Sequence, residues 1–192
     1  MDTEIGRLLK SIDSDELENT YVIFLGDNGT PGRMATAPYR RNQVKGTVYQ
    51  GGINVPFFIN GPGVDGSRVT KALANSVDLY ATVLDLAGVA ARDAGVDSVS
   101  LAPVLANNQQ SVREFAYADV YGPQAGRIVN LRTIRNDRYK LLLDLQNDTR
   151  EFYDLSNDPY ENRNLLDDDL NRDAKSALDD LDARLQELVA GD

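Results

Sequence analysis

Asp27 and Asn28 stand side by side at the end of an apolar run, in Tyr21-Val-Ile-Phe-Leu-Gly-Asp-Asn-Gly29. A carboxylate next to an amide carbonyl is a pair of hard oxygen donors suited to Ca²⁺ or Mg²⁺, and two donors are too few for a shell of about six or more. Lys45 follows in Lys45-Gly-Thr-Val-Tyr-Gln-Gly-Gly52, where glycines let the backbone approach a ligand closely. Its ammonium could neutralise charge developing on a tetrahedral oxyanion near the cation. The three residues therefore have the layout of half of an anion-hydrolysing site, with cation and lysine sharing one small anionic ester. Alone, Asp-Asn-Gly reads as a tight turn and Lys45 as a surface lysine. What favours the ligand role is placement at the carboxyl end of a strand, where open α/β sheets assemble their sites.

The other half of such a site has no candidates. The 192 residues include no His and no Cys, which excludes a Ser-His-Asp triad, imidazole and thiolate metal ligands, a thiol nucleophile and disulfides. The net charge of −10 is concentrated late in the chain, since residues 144–192 carry 15 acidic and 5 basic side chains. From Asn28 to Val64 there is no acidic residue, and Arg33, Arg40, Arg41 and Lys45 give that stretch +4. A basic loop in an acidic protein argues against nucleic acid and fits a small anion. No apolar run reaches the about 20 residues that span a bilayer, and the N-terminus lacks the order of a signal peptide.

The elements that would position these residues follow from periodicity. Ile5, Leu8, Leu9 and Ile12 have helical spacing, and Tyr21–Leu25 reads as a buried central strand, so that together they suggest half of a βαβ unit. Gly26–Gly52 is a long loop of the length that is functional or mobile, and Val55–Asn60 is a second strand, with Pro56 at its start or on an edge. A helix is predicted over Val77, Tyr80, Ala81, Leu84 and Ala87, with Ser76 as N-cap and Gly88 as its stop. A polar, Ala/Gly-rich connection leads to strands at 115–121, 127–135 and 139–145, the last two joined by an Asn136-Asp137 turn. A final helix runs from Leu170 to Ala190, its acidic face being solvated surface. The switch from helix-strand alternation to consecutive strands predicts a boundary between 1–110 and 111–192.

Taken in order, these segments resemble the sulfatase family of the alkaline phosphatase superfamily, whose members show a Ser-Asp-Asn-Gly strand end, a Lys-Gly-Thr-x-Tyr-Glu-Gly-Gly loop and a Val-Pro strand ending near Pro-Gly. Ser76-Val-Asp-Leu-Tyr-Ala-Thr-Val-Leu-Asp-Leu-Ala-Gly88 is similar to the family's next helix. Its C-terminal subdomain is matched by Arg132-Thr-Ile-Arg-Asn-Asp-Arg-Tyr-Lys-Leu141 and Glu151-Phe-Tyr-Asp-Leu-Ser-Asn-Asp-Pro-Tyr-Glu-Asn-Arg-Asn-Leu165. The resemblance implies an α/β fold: the C-terminal part of an alkaline-phosphatase-like mixed sheet with flanking helices, plus a small antiparallel sheet subdomain with a C-terminal helix. It implies Asp27 and Asn28 as ligands of a divalent cation, Ca²⁺ or alternatively Mg²⁺, and Lys45 as the lysine contacting the sulfate. It also implies a formylglycine nucleophile, made from Cys/Ser-x-Pro-x-Arg in an N-terminal half that this sequence does not contain, and a periplasmic or secreted location.

Three positions depart from the family pattern: Gly26 replaces Ser, Gln50 replaces Glu and Asn54 replaces a frequent Arg. Thr36-Ala-Pro-Tyr-Arg40 has Pro and Arg at the nucleophile spacing, but oxidation of a secondary alcohol gives a ketone, so the segment reads as a proline-ordered loop. The expectation is the C-terminal portion of a sulfatase, inactive alone and partnered by its N-terminal half. A phosphonate monoester or phosphodiester hydrolase of the same superfamily is the second reading, and a non-catalytic module binding an anion or a partner the third.

Overall fold

The apolar stripe at Ile5, Leu8 and Leu9 winds into α1 (Asp2–Leu9) in the computed structural model, which describes residues 1–64, 68–89, 97–124 and 126–190. A short turn of helix, α2 (Ser14–Leu17), leads into β1 (Val22–Leu25). The loop beyond β1 contains a 3₁₀ turn at Gly32–Met34 and closes with α3 (Gln50–Ile53), after which Phe57–Asn60 forms β2. β1 and β2 pair antiparallel, from Val22 opposite Asn60 to Leu25 opposite Phe57, and Pro56 lies just before the strand, where its missing N–H is harmless. Two expectations are corrected here. β1 is half-buried along its length rather than buried, and among the described residues its one neighbour is an antiparallel strand, not the parallel partner of a βαβ unit. An apolar run reports what a strand is able to bury, while its neighbours decide what covers it.

The predicted middle helix is α4 (Asp78–Leu86). Gly88, at φ +69°, stops it: Val89 N–H donates to Leu84 C=O and Gly88 N–H to Asp85 C=O, the paired bonds of a left-handed C-terminal cap. Ser76 does not cap the other end; the first-turn Ala81 N–H is met instead by Ser98 Oγ (2.9 Å), and Asp78 ties the start of the helix to its surroundings. The fully buried Asp78 carboxylate accepts from Asn75 N–H (2.8 Å), Val99 N–H (3.0 Å) and the Arg113 guanidinium, whose Nε lies at 2.7 Å. The predicted connection after α4 falls in part on residues 90–96, outside the described residues. α5 (Ala102–Leu105) follows, tied back to α4 by Leu101 N–H donating to Thr82 Oγ1.

Four consecutive strands, β3 (Ala116–Gln124), β4 (Arg127–Arg135), β5 (Tyr139–Asp144) and β6 (Thr149–Asp154), make an antiparallel meander in sequence order. The β4–β5 hairpin is the predicted one: Asn136 Oδ1 accepts from Arg138 N–H and Tyr139 N–H, folding the turn. β5 is buried on both faces. Tyr139 and Leu141, with Ile134 and Phe152, pack under the stripe Ala174, Leu181 and Leu185 of α6 (Arg172–Ala190), while the alternate residues Lys140 and Leu142 are buried on the opposite side. The core thus lies between the meander and the C-terminal helix. The antiparallel sheet with its terminal helix, together with the two-stranded sheet and helices that precede it, agrees with the fold class the resemblance implies.

Asp154 closes β6 and holds the following turn, accepting from Arg138 Nη2 (2.8 Å), Ser156 N–H (3.1 Å) and Asn157 Nδ2 (2.8 Å). The Arg138 hydrogen bond leads in keeping its carboxyl below the ordinary value of 3.8. A depressed carboxyl contributes stability above its unfolded value that is lost as pH falls through the folded one. The thermal stability of the wild type is therefore expected to fall below about pH 4, as followed by thermal denaturation, and Asp154→Asn should flatten that acid limb while lowering stability at neutral pH.

Candidate active site: a clamp of loops at the end of β1

The β1 strand ends at Leu25, and backbone hydrogen bonds then tie three loops together. Gly26 N–H donates to Pro56 C=O (2.9 Å), Gly29 N–H to Gly52 C=O (2.9 Å) and Lys45 N–H to Thr30 C=O (3.1 Å). The tripeptide carrying Asp27 and Asn28, the segment of Lys45 and the Gly51-Gly52 turn of α3 are thereby held as one unit. Asp27 and Lys45 are exposed and Asn28 is half-buried. The structure brings the backbones of the three predicted residues together; among the described residues it puts neither hydrogen bond nor ion pair on their side chains.

The closeness of this clamp explains its glycines. A Cβ on Gly29 would lie 1.9 Å from the Gly51 carbonyl oxygen, and one on Gly52 would lie 2.3 Å from that of Thr47. Backbone on both sides cannot yield as a flexible side chain could. Gly29→Ala is expected to lower stability by about 1–3 kcal/mol, the range for overpacking, read by chemical denaturation; an unchanged midpoint would show that the loops are not in contact in solution.

Beside Asn28 and Gly29 opens a cavity of about 330 Å³, whose walls include Thr30, Thr36, Tyr39, Val44 and Asn54. Thr36 is thus a wall residue of this hollow. A hollow of about 360 Å³ at the other end of β1 is walled by Leu9, Leu17, Glu18 and Val22 and brings together none of the three predicted residues. Among the described residues no group of three or more His, Cys, Asp or Glu side chains is arranged to hold a metal. Asp27 and Asn28, adjacent hard oxygen donors at a strand end, suit part of the shell of Ca²⁺ or Mg²⁺ and do not complete it. No helix among the described residues is long and apolar enough to cross a membrane.

Behind the clamp lies a polar cluster that the sequence does not reveal. Three consecutive loop residues are each held from the meander side. Lys140 of β5 donates to Val48 C=O (2.7 Å), Tyr49 Oη donates to Glu151 of β6 (2.6 Å), and Gln50 N–H donates to Glu161 (2.6 Å). Lys140 also donates to Glu161, forming an ion pair in which both side chains are almost wholly buried. Burial drives Lys140 down and Glu161 up from their ordinary values, and their mutual attraction opposes both shifts. Burial and the Glu151 carboxylate together push the Tyr49 and Tyr153 hydroxyls up, so both remain donors. In the sequence Lys140 only interrupts the apolar run Tyr139-Lys-Leu-Leu-Leu143, which by itself assigns it neither burial nor partner.

The family model described as N-sulphoglucosamine sulphohydrolase, C-terminal, matches residues 43–190. A sulfatase of Formosa agariphila is 33% identical over 191 residues, covering 86% of this chain and 34% of the relative. A solved protein in complex with its substrate, D-glucosamine-2-N,6-O-disulfate, superposes with a TM-score of 0.83 at 26% identity, over 100% of this chain and 39% of the other. A 2-O glycosaminoglycan sulfatase superposes with a TM-score of 0.80 at 26% identity, over 98% and 40%. The chain spans about a third of the length of the Formosa relative. Since a C-terminal family model covers most of its residues and sulfatase structures share its fold, the chain belongs to the sulfatase family and corresponds to the family's C-terminal portion.

Proposed function

We propose that this chain supplies one side of the active site of a sulfatase that hydrolyses sulfate esters. Asp27 and Asn28 are two ligands of a divalent cation, Ca²⁺ or alternatively Mg²⁺, and Lys45 contacts the sulfate. The observation that carries the reading is the clamp, in which Gly29 N–H to Gly52 C=O and Lys45 N–H to Thr30 C=O draw the ligand pair and the lysine segment to one strand end. When bound, such a cation would polarise the sulfate oxygens as a Lewis acid. Lys45 would place a positive charge near the same group, where it counts most if water is excluded. Residues 1–110 then belong to the catalytic α/β domain and residues 111–192 form the antiparallel subdomain. The formylglycine nucleophile, the remaining cation ligands and the acid for the leaving group come from an N-terminal part of the same protein. That protein works in the periplasm or outside the cell. A sulfated sugar is the substrate class favoured, because a neighbour of the same fold was solved with a disulfated glucosamine.

The test compares turnover of aryl sulfate and aryl phosphonate esters by the intact protein and by residues 1–192 alone. A dominant sulfatase rate in the intact protein, with no turnover by the chain alone, is expected. A dominant phosphonate rate would replace the sulfatase reading with that of a phosphonate monoester hydrolase. Turnover by the chain alone would overturn the division of the site.

A further inference from the structure

The buried cluster behind the clamp engages none of Asp27, Asn28 and Lys45, yet it holds the loop that carries the lysine. From Val48 to Gln50, a carbonyl, a phenol and an amide N–H are each engaged by one meander-side residue, Lys140, Glu151 and Glu161 respectively. These contacts cross 92, 102 and 111 residues of sequence, so nothing local supplies them. Val44 and Val48 are buried alongside, at 2% and 0% exposure, which fixes the loop on both sides of Lys45. At its far end the same loop passes the restraint forward, because Gly52 C=O receives the N–H of Gly29. We infer that Lys140, Glu161 and Glu151 are positioning residues, through which the antiparallel subdomain sets the placement of Lys45 and of the Asp27-Asn28 turn. This rests on the proposed roles of those three residues for its functional consequence, though not for the mechanical coupling itself.

The physical reason is the connected chain of bonds. Lys140 and Glu161 neutralise each other where neither could stay charged alone, and each keeps one further bond for the loop. These directional bonds fix the height of the loop as well as its contact with the sheet, and displacement of a catalytic group by about 1 Å is enough to lower a rate by about 10²-fold. The loop from Gly26 to Gly52 is long and largely irregular, so loss of the three long-range contacts would leave its placement to the clamp bonds and to Val44 and Val48.

Two backbone amides report the coupling directly: Lys45 N–H, bonded to Thr30 C=O, and Gly29 N–H, bonded to Gly52 C=O. The experiment is residue-resolved hydrogen exchange on the intact protein carrying this chain, for the wild type, the volume-matched pair Lys140→Met/Glu161→Gln, and Lys45→Ala. The pair variant removes the buried charges together, so folding is retained, and the Gly88 and Val89 amides that close α4 serve as the internal control. Exchange at both reporter amides is expected to rise at least about tenfold in the pair variant with the α4 amides unchanged, and kcat is expected to fall by more than KM rises. Lys45→Ala should leave both amides as in the wild type. Glu151→Gln, which keeps an acceptor for the two tyrosines, gives a milder second probe that should move Gly29 and Lys45 in the same direction. Wild-type protection at both amides in a folded pair variant overturns the inference. Faster exchange with unchanged kcat, in a protein where Lys45→Ala is also silent, would uphold the coupling and overturn instead the sulfate role of Lys45.

Discussion

Lys140→Met is expected to destabilise the protein by about 3–5 kcal/mol at neutral pH, the range for breaking one side of a buried ion pair. Lys140 has no exposure and its partner Glu161 only 2%, so removal of the ammonium leaves a buried carboxylate with no countercharge, its bond from Gln50 N–H remaining. The Val48 carbonyl loses its side-chain donor in the same change. Methionine nearly matches the volume of lysine, so a cavity is not the source of the loss. The effect should depend on pH with a definite sign. Burial already raises the Glu161 carboxyl above its ordinary 4.5, and Lys140 supplies the strongest influences that lower it. In the variant the folded value rises further, and a carboxyl raised by folding contributes stability below its unfolded value that is lost as pH rises through the folded one. The deficit of Lys140→Met relative to wild type should therefore shrink on acidification toward about pH 4. Urea denaturation across that range would measure it; a deficit independent of pH would mean that Glu161 is not the group left stranded. Removing both charges, as in Lys140→Met/Glu161→Gln, should recover most of the loss, since a buried pair can be replaced by neutral groups at little net change.

This ion pair also marks where sequence reading stops. The β4–β5 hairpin is legible because the turn-forming Asn136-Asp137 separates two strand-like segments, and the α4 stop is legible because Gly88 is the residue that accepts a left-handed backbone. The stripe of α6 was legible because Ala174, Leu181 and Leu185 repeat at helical spacing. β6 carried no such signature: Thr149, Arg150 and Glu151 are polar, and the strand forms because β5 supplies an edge to pair with. Neither Lys140 nor Glu161 shows in the sequence that it will be buried, because what determines burial of a charge is the partner, here 21 residues away, and a loop folded over both. For the proposed site, the candidates Asp27, Asn28 and Lys45 come from ordered motifs in the sequence. What the sequence did not contain was the backbone clamp, since an N–H to C=O bond between Gly29 and Gly52 depends on no side chain at all.

In the intact protein, Lys45→Ala is expected to lower kcat/KM for a sulfate ester by about 10²–10³-fold, the loss typical of removing one donor to a developing oxyanion. Lys45 is exposed and, among the described residues, has neither ion pair nor side-chain hydrogen bond, so its removal takes away no native contact and should leave the unfolding midpoint within about 0.5 kcal/mol of wild type. That separation of activity from stability distinguishes a catalytic group from a structural one. The stretch from Asn28 to Val64 offers no carboxylate to compete for the ammonium, and the neighbouring Arg33, Arg40 and Arg41 strengthen the same positive field. If Lys45 binds sulfate in the ground state as well as in the transition state, inorganic sulfate should inhibit the variant more weakly than the wild type, and KM should rise while kcat falls. Lys71→Ala, another exposed lysine outside the three loops of the clamp, is the control and should leave kcat/KM unchanged. Lys45→Arg should recover only part of the loss, because a planar fork on a different stem does not place its charge where a compact ammonium does. Steady-state kinetics with an aryl sulfate decides the matter: a Lys45→Ala enzyme within twofold of wild type would remove this lysine from the site, and with it the reason for drawing its loop against the Asp27-Asn28 turn.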